Sequence, residues 1–458
     1  MLRVVMLCAL TLRLGAQALT VDDVLRSVEA NYPPLLATLL ESQVADGATQ
    51  QARGQFDTQL GVTAGADQFG YYPNQRLDVG VNQNLRWQGA SAYGGWRVGA
   101  GDFPAYRGLD ETRNLGEFRA GIKVPLLRGR EIDERRAALA QAEIGQRIAS
   151  LTIDQQRLLV RQLATNRYWD WAAAGQRLRI AQDLLRVARE RDQALQDAAD
   201  LGAVARVEVT ENRRQILQRE AQIIEAQRGV QQASIALSLF YRDATGQPRI
   251  AQDSQLPASL PATEVLDGAQ VTEDLARALT KRPEIAAVAA QRSQTRIDID
   301  LASNQTRPSM DFGLGVTSEA GSGAVKRGPN EVKATLTFQV PWQRRVAEGK
   351  LQQASAKHSQ LTQREQFARD QVSAEVQDAA SAVRAAHERT LLATREVSVA
   401  LDLADAERER FRLGDSTLFL VNLREQAAVD AELREVAANL DYLRALTIYD
   451  QVTAKLLP

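Results

Sequence analysis

The sequence predicts a mostly α fold with some β: an internally duplicated chain in which long coiled-coil helices alternate with short runs of strands. Three observations carry this. The thirteen prolines leave two stretches untouched, 126–247 and 342–457. Such stretches can run as nearly unbroken helices, because no residue in them removes a backbone donor or clashes with the preceding turn. Each follows an alternating run that ends in Val-Pro, Val124-Pro125 and Val340-Pro341, and each carries a Leu-Gly pair at similar depth, ending at Gly202 and Gly414. Matched punctuation of this kind marks an internal duplication. Finally, Val376, Val383, Val397, Ala404 and Phe411 fall on a seven-residue grid with Thr390 as its polar member, beside a parallel grid of Ala379, Ala386, Ala393 and Ala400. Heptad spacing gives left-handed coiled-coil packing, and the alanines let helices approach closely.

The chain starts with a pattern expected of a signal peptide over residues 1–18. Arg3 is followed by the apolar run Val4–Leu12 and by Ala16-Gln17-Ala18, a small-residue cleavage pattern. The only cysteine, Cys8, lies inside this segment. No run of 18 apolar residues is present, so no transmembrane helix is expected.

The first structural repeat is expected over 19–241. It starts with a helix of about 33 residues, Val21–Arg53, followed by strands within about 56–125. Phe56–Ala66 alternates Phe56, Leu60, Val62, Ala64 and Ala66 against Asp57, Gln59 and Thr63. Glu117–Val124 alternates Phe118, Ala120, Ile122 and Val124 against Glu117, Arg119, Gly121 and Lys123. Residues 70–116 have no counterpart in the second half. Leu77, Val79 and Val81 alternate there, as do Trp96, Val98 and Ala100, so the segment adds a further hairpin or else forms long outer loops. Its aromatics suit an interfacial girdle or ordinary cross-strand packing. Helices of about 71 residues (Arg130–Asp200) and 38 residues (Ala203–Phe240) complete the repeat.

Residues 242–270 read as a linker with three prolines and no sustained period. The second repeat, 271–458, carries helices of about 35 (Thr272–Thr306), 69 (Arg345–Leu413) and 40 residues (Thr417–Leu456). Its strands, about 309–341, put Met310, Phe312, Leu314 and Val316 opposite Asp311, Gly313, Gly315 and Thr317. Val332, Ala334, Leu336, Phe338 and Val340 oppose Glu331, Lys333, Thr335, Thr337 and Gln339. In each repeat the two shorter helices together match the long one, roughly 105 Å at 1.5 Å per residue, which suggests end-to-end stacking beside it. The alternation fits either membrane-crossing strands or a water-soluble sheet with one wet face.

Composition narrows the function. Aromatics make up 5% of the chain and the formal net charge is −1, so no basic face invites nucleic acid. Mean hydropathy is −0.31. The two histidines, His358 and His387, lack partners at ligand spacing, so no metal site is expected. Phosphate loops and nucleophile elbows are absent, no catalytic residues stand out, no cofactor is implied, and the chain does not read as an enzyme. Glu131, Asp133 and Glu134 sit where carboxylates offset a helix dipole.

With duplication, export signal, strands and heptads together, the chain resembles the outer membrane efflux protein (TolC-like) family over most of its length. Lys123-Val124-Pro125-Leu126-Leu127-Arg128-Gly129 and Gln339-Val340-Pro341-Trp342 resemble that family's strand-to-helix junctions, and Arg282-Pro283-Glu284-Ile285 the start of its second repeat. Phe411-Arg412-Leu413-Gly414-Asp415-Ser416 and Asp200-Leu201-Gly202-Ala203 resemble its helix-tip turns. The resemblance implies a homotrimer, with membrane β-strands forming a barrel and helices continuing it as a periplasmic tunnel. Two strands per repeat would give a twelve-stranded barrel; counting the extra segment gives six strands per chain instead. It implies an outer membrane location and passive exit of solutes in efflux or type I secretion. The energy would come indirectly from an inner-membrane pump, joined through a periplasmic adaptor that docks on the tips, here Leu201, Gly202, Leu413, Gly414 and Asp415. Outer membrane lipid would meet the apolar strand faces, including Phe118, Ile122, Phe312, Leu314, Leu336 and Phe338. By the same resemblance, Glu208 and Asn422 are candidate residues of the entrance gate, although Leu420 stands where the second repeat would place its acidic residue. A soluble periplasmic coiled-coil adaptor or scaffold is the competing reading; it would not need two strand clusters with matched junctions.

Overall fold

A computed structural model describes residues 18–323 and 330–457. The expected signal peptide therefore lies, except for its last residue, outside the described residues. In chain order the elements are α1 (Val21–Asn31), α2 (Pro33–Gly54), β1 (Gln59–Asp67), β2 (Asn74–Asn84), β3 (Ser91–Gly101), β4 (Glu117–Pro125), α3 (Glu134–Asp200) and α4 (Arg206–Ser238). The second repeat supplies α5 (Gly268–Lys281), α6 (Pro283–Gln305), β5 (Ser309–Glu319), β6 (Asn330–Gln339), α7 (Arg345–Arg412) and α8 (Leu418–Val452). The long helices α3 and α7 contain 67 and 68 residues.

Two expectations about helices need correction. Each repeat was expected to start with one helix, yet both are broken, at Tyr32 and at Arg282. Each residue precedes a proline and adopts extended backbone, ψ 111° and 122°, because the proline ring crowds the helical region for the residue before it. The following proline then opens α2 and α6, where its missing N–H costs nothing.

The chain divides into two compact units that each draw on both repeats: one made of residues 1–39, 153–283 and 369–458, the other of 40–152 and 284–368. The first is helical apart from its loops. Val24, Val28 and Leu35 pack there with Tyr168, Trp171 and Leu237. On α7 the heptad positions Val376, Val383 and Thr390 are buried, as are Ala379, Ala386 and Ala393. Asp274 joins α5 to α8, accepting a hydrogen bond from the Tyr449 hydroxyl (2.7 Å) and pairing with Lys455 (2.6 Å).

The second unit holds one six-stranded antiparallel sheet in the order β1-β2-β3-β4-β5-β6. Of the two alternatives for residues 70–116 the structure has the further hairpin, so the first repeat has four strands and the second two. Phe56 is not part of β1: it is buried with Ala52 and Leu139, under the guanidinium of Arg86. Below the sheet four helical segments pack in the order α2, α3, α6, α7. Thr49 of α2 donates to the Ala142 carbonyl of α3, Gln294 of α6 donates to the Gln141 carbonyl of α3, and Arg292 of α6 pairs with Glu365 of α7 at 3.0 Å. At the β4–α3 junction Gly129 has φ 88°, a conformation that favours glycine, and its N–H donates to Asn304 Oδ1. Asp133 caps α3 by accepting from the N–H groups of Arg135 and Arg136.

Candidate functional site

The register of the sheet decides which side chains share a face. Phe118 stands opposite Ser318, Ala120 opposite Val316, Ile122 opposite Leu314, and Val124 opposite Phe312. On β6, Leu336 pairs with Phe312 and Phe338 with Met310. Continuing the other way, Trp96 pairs with Phe118 and with Val79, and Val79 with Val62. One apolar face therefore crosses all six strands. Phe118, Ile122, Phe312, Leu314, Leu336 and Phe338 all lie on it, and all six are exposed, Leu336 to 65%. An apolar face of this breadth with none of the described residues packed on it marks an interaction surface rather than a wet face.

The opposite face is charged and glycine-rich. Arg119 pairs with Asp78 at 2.6 Å, Lys123 with Asp311 at 3.1 Å and Arg97 with Glu117 at 3.0 Å. Gly121 and Gly315 face each other across β4 and β5. A sheet apolar on one side and charged on the other is the arrangement of a strand wall between lipid and water. No helix among the described residues is long and apolar enough to cross a membrane.

The helix tips lie in the other unit. Gly202 and Gly414 have φ 76° and 79°. At each tip the glycine N–H bonds three residues back, to Ala199 and Phe411, and the next N–H bonds five back, Ala203 to Ala198 and Asp415 to Arg410. This is the Schellman stop, in which a residue free of the Cβ penalty ends the helix. A buried cluster of Leu195, Val209 and Leu418 joins the two tips, leaving Leu201 and Leu413 outside it at 85% and 68% exposure. Asp415 pairs with Arg410 at 3.1 Å.

Of the two gate candidates, Glu208 lies in the first turn of α4 and is half-buried. Asn422 is 8% exposed, and its Oδ1 accepts from Arg191. Sequence reasoning missed what surrounds it. Glu425, fully buried, binds Arg191, Arg219 (3.0 Å) and Arg408 (2.9 Å), so one carboxylate ties α3, α4 and α7 to α8. Burial alone would raise the Glu425 carboxyl, but Arg191, Arg408 and Arg219 together hold it below the ordinary range; burial lowers Arg219. Nothing in the local sequence marks Glu425, because its partners lie far away along the chain.

His358 and His387 meet Thr295 and Thr263, each through Nδ1 at 3.1 Å, and no cluster of metal-ligating side chains occurs among the described residues.

Residues 108–240 match the outer membrane efflux protein family. Among solved structures, the outer-membrane channel OprN superposes with a TM-score of 0.66 at 15% identity, covering 96% of this chain and 91% of that one. The Neisseria gonorrhoeae MtrE outer membrane channel, in its open state, gives 0.65 at 17% identity, covering 94% and 88%. The Vibrio cholerae outer membrane protein VceC gives 0.63 at 15% identity, covering 94% and 95%. Among curated proteins none matches the sequence.

Proposed function

We propose that this chain, which has the fold of the outer-membrane channels and matches the outer membrane efflux protein family over residues 108–240, is the passive exit duct of an efflux or secretion pathway. The observation that carries the proposal is the two-faced sheet: an uncovered apolar face across six strands, backed by a face of ion pairs and glycines. Among the described residues, the outer strands β1 and β6 are each unpaired at one edge. Lipid cannot satisfy open strand edges, so the sheet must close with further copies, and three copies make the barrel. The apolar face then meets outer membrane lipid and the charged face lines water. A soluble scaffold would leave the same face exposed to water.

In this reading a periplasmic adaptor docks on Leu201, Gly202, Leu413, Gly414 and Asp415, and a pump in the inner membrane acts through it. Leu201 and Leu413 are the exposed apolar anchors of such a contact. Glu208 is the better entrance candidate, and its carboxylates would favour cations. Asn422 would reach an entrance only if its hydrogen bond from Arg191 opened.

The test is fractionation, mass measurement of the detergent-extracted protein and an export assay, applied to the parent and to Leu201→Asp and Leu413→Asp. Outer membrane trimers from all three, with export lost in the variants, are expected. A periplasmic monomer would overturn the channel reading. Full export by both variants would overturn tip docking alone.

A further inference from the structure

Resting on the trimeric channel reading, we infer that the β2–β3 hairpin is part of the membrane wall, so that each chain contributes six strands and the closed barrel has eighteen. The hairpin is hydrogen-bonded between β1 and β4 along its strands rather than standing off them. Leu77, Val79, Val81, Trp96 and Val98 fall on the same face as Ile122 and Leu336. Its other face is built into the charged side. Arg119 of β4 reaches Asp78 of β2 across β3, where Gly95 stands; a Cβ there would come within 3.2 Å of Arg119 Nε and 2.8 Å of the Val79 carbonyl oxygen. Tyr93 of β3 extends the other way, over Gly121 of β4 and Gly315 of β5. A Cβ on either glycine would come within 2.5 Å of its hydroxyl oxygen. Side chains from the hairpin thus interlock with β4 and β5 through glycine-sized gaps, an arrangement an outer loop would not need.

Geometry agrees. Inserting a hairpin adds two strands, so β4 keeps its direction and its connection to α3. The four helical segments packed beneath the sheet become twelve in a trimer, and at about 8–10 Å apart they form a ring of roughly 95–120 Å perimeter. Eighteen strands about 4.8 Å apart and tilted about 40° need roughly 113 Å, which lies within that range. The barrel's closing contact is β6 of one copy against β1 of the next. Neither edge is blunted by proline, and β6 carries a single lysine, Lys333, so both edges remain open to a second copy.

The only cysteine of the sequence is Cys8, in the expected leader, so single cysteines can be placed cleanly. Val79→Cys, Val98→Cys, Asn82→Cys and Leu336→Cys, each carrying a fluorophore, are compared in full-length trimers reconstituted into vesicles with brominated lipid or with aqueous iodide. The expected result is that Val79, Val98 and Leu336 positions lose most of their emission to brominated lipid, while the Asn82 position responds to iodide alone. Quenching at Leu336 without quenching at Val79 and Val98 would put the hairpin outside the wall and overturn the eighteen-strand inference. Absence of lipid quenching at Leu336 itself would overturn the channel reading instead. A Val62→Cys/Ala334→Cys series, shifted by two residues in each direction, should give disulfide-linked oligomers in at least one register; none in any would reject the β6–β1 closure.

Discussion

The two repeats share one plan and depart from it in their strands and behind their helix tips. Strands occupy Gln59–Pro125 in the first repeat and only Ser309–Gln339 in the second. At the tips the backbone is the same, with a Schellman stop and glycine at φ 76° or 79°. The side chains behind them differ. Beyond Gly202, Asn212 is buried and donates to the Ala188 carbonyl (3.2 Å) and to Asp192 (3.1 Å). Beyond Gly414, at nearly the same depth, Glu425 gathers three arginines. The duplicated backbone is thus the conserved frame within the molecule, while the wall and the charge cluster are where the halves have diverged.

The largest expected effect is at the charge cluster. Glu425→Gln leaves buried Arg219 and half-buried Arg191 without their carboxylate, which should cost about 3–5 kcal/mol. Asn212→Ala should cost only about 1–2 kcal/mol, the order of a lost neutral hydrogen-bond partner. Amide hydrogen exchange of the last turns of α3 and α7 measures both, and equal loss of protection would erase the asymmetry between the tips. The same cluster carries a pH dependence. The folded Glu425 pKa is lowered, so its contribution is fully present above the unfolded glutamate value of about 4.3 and is lost as pH falls through the lower folded value. Exchange at the tips should therefore rise in acid for the parent and change much less for Glu425→Gln.

Next comes the wall. Leu336→Arg places a charge on the apolar face and should cost roughly 2–4 kcal/mol near the bilayer midplane, read as lost trimer yield. Thr335→Arg, on the other face, should assemble normally. If the extra hairpin belongs to the wall, Val79→Arg should behave like Leu336→Arg; a normal trimer yield from Val79→Arg would separate the repeats more sharply than proposed.

The smallest effect tests the likeness. Gly202→Ala and Gly414→Ala have room for the methyl, since nothing lies within 4 Å of a Cβ at either position, but the positive φ should cost each about 1–2 kcal/mol. Matching losses of thermal stability are expected; a difference beyond this range would show that the two stops are not equivalent. At the entrance, Glu208→Gln should lower the cation-over-anion permeability ratio in planar bilayers, and an unchanged ratio would remove Glu208 from the gate.

What the sequence determined by itself was whatever depends on near neighbours. Proline spacing located the long helices, alternation assigned Ile122, Leu314 and Leu336 to one face, and Leu-Gly pairs marked the stops, because helix continuity, strand facing and positive φ are properties of a few consecutive residues. The same local rule applied to Pro33 and Pro283 was legible too, and reading each leading helix as continuous overlooked it. Only tertiary structure decided where residues 74–101 pair, since their alternation fits a hairpin in the sheet as well as one outside it. It also decided that Asn422 is buried against Arg191, and that Glu425 meets arginines from three other helices. Arg191 and Glu425 lie 234 positions apart, and no periodicity reports a neighbour at that distance. The energy of a buried charge is set by what surrounds it in space, and that is fixed only when the helices pack.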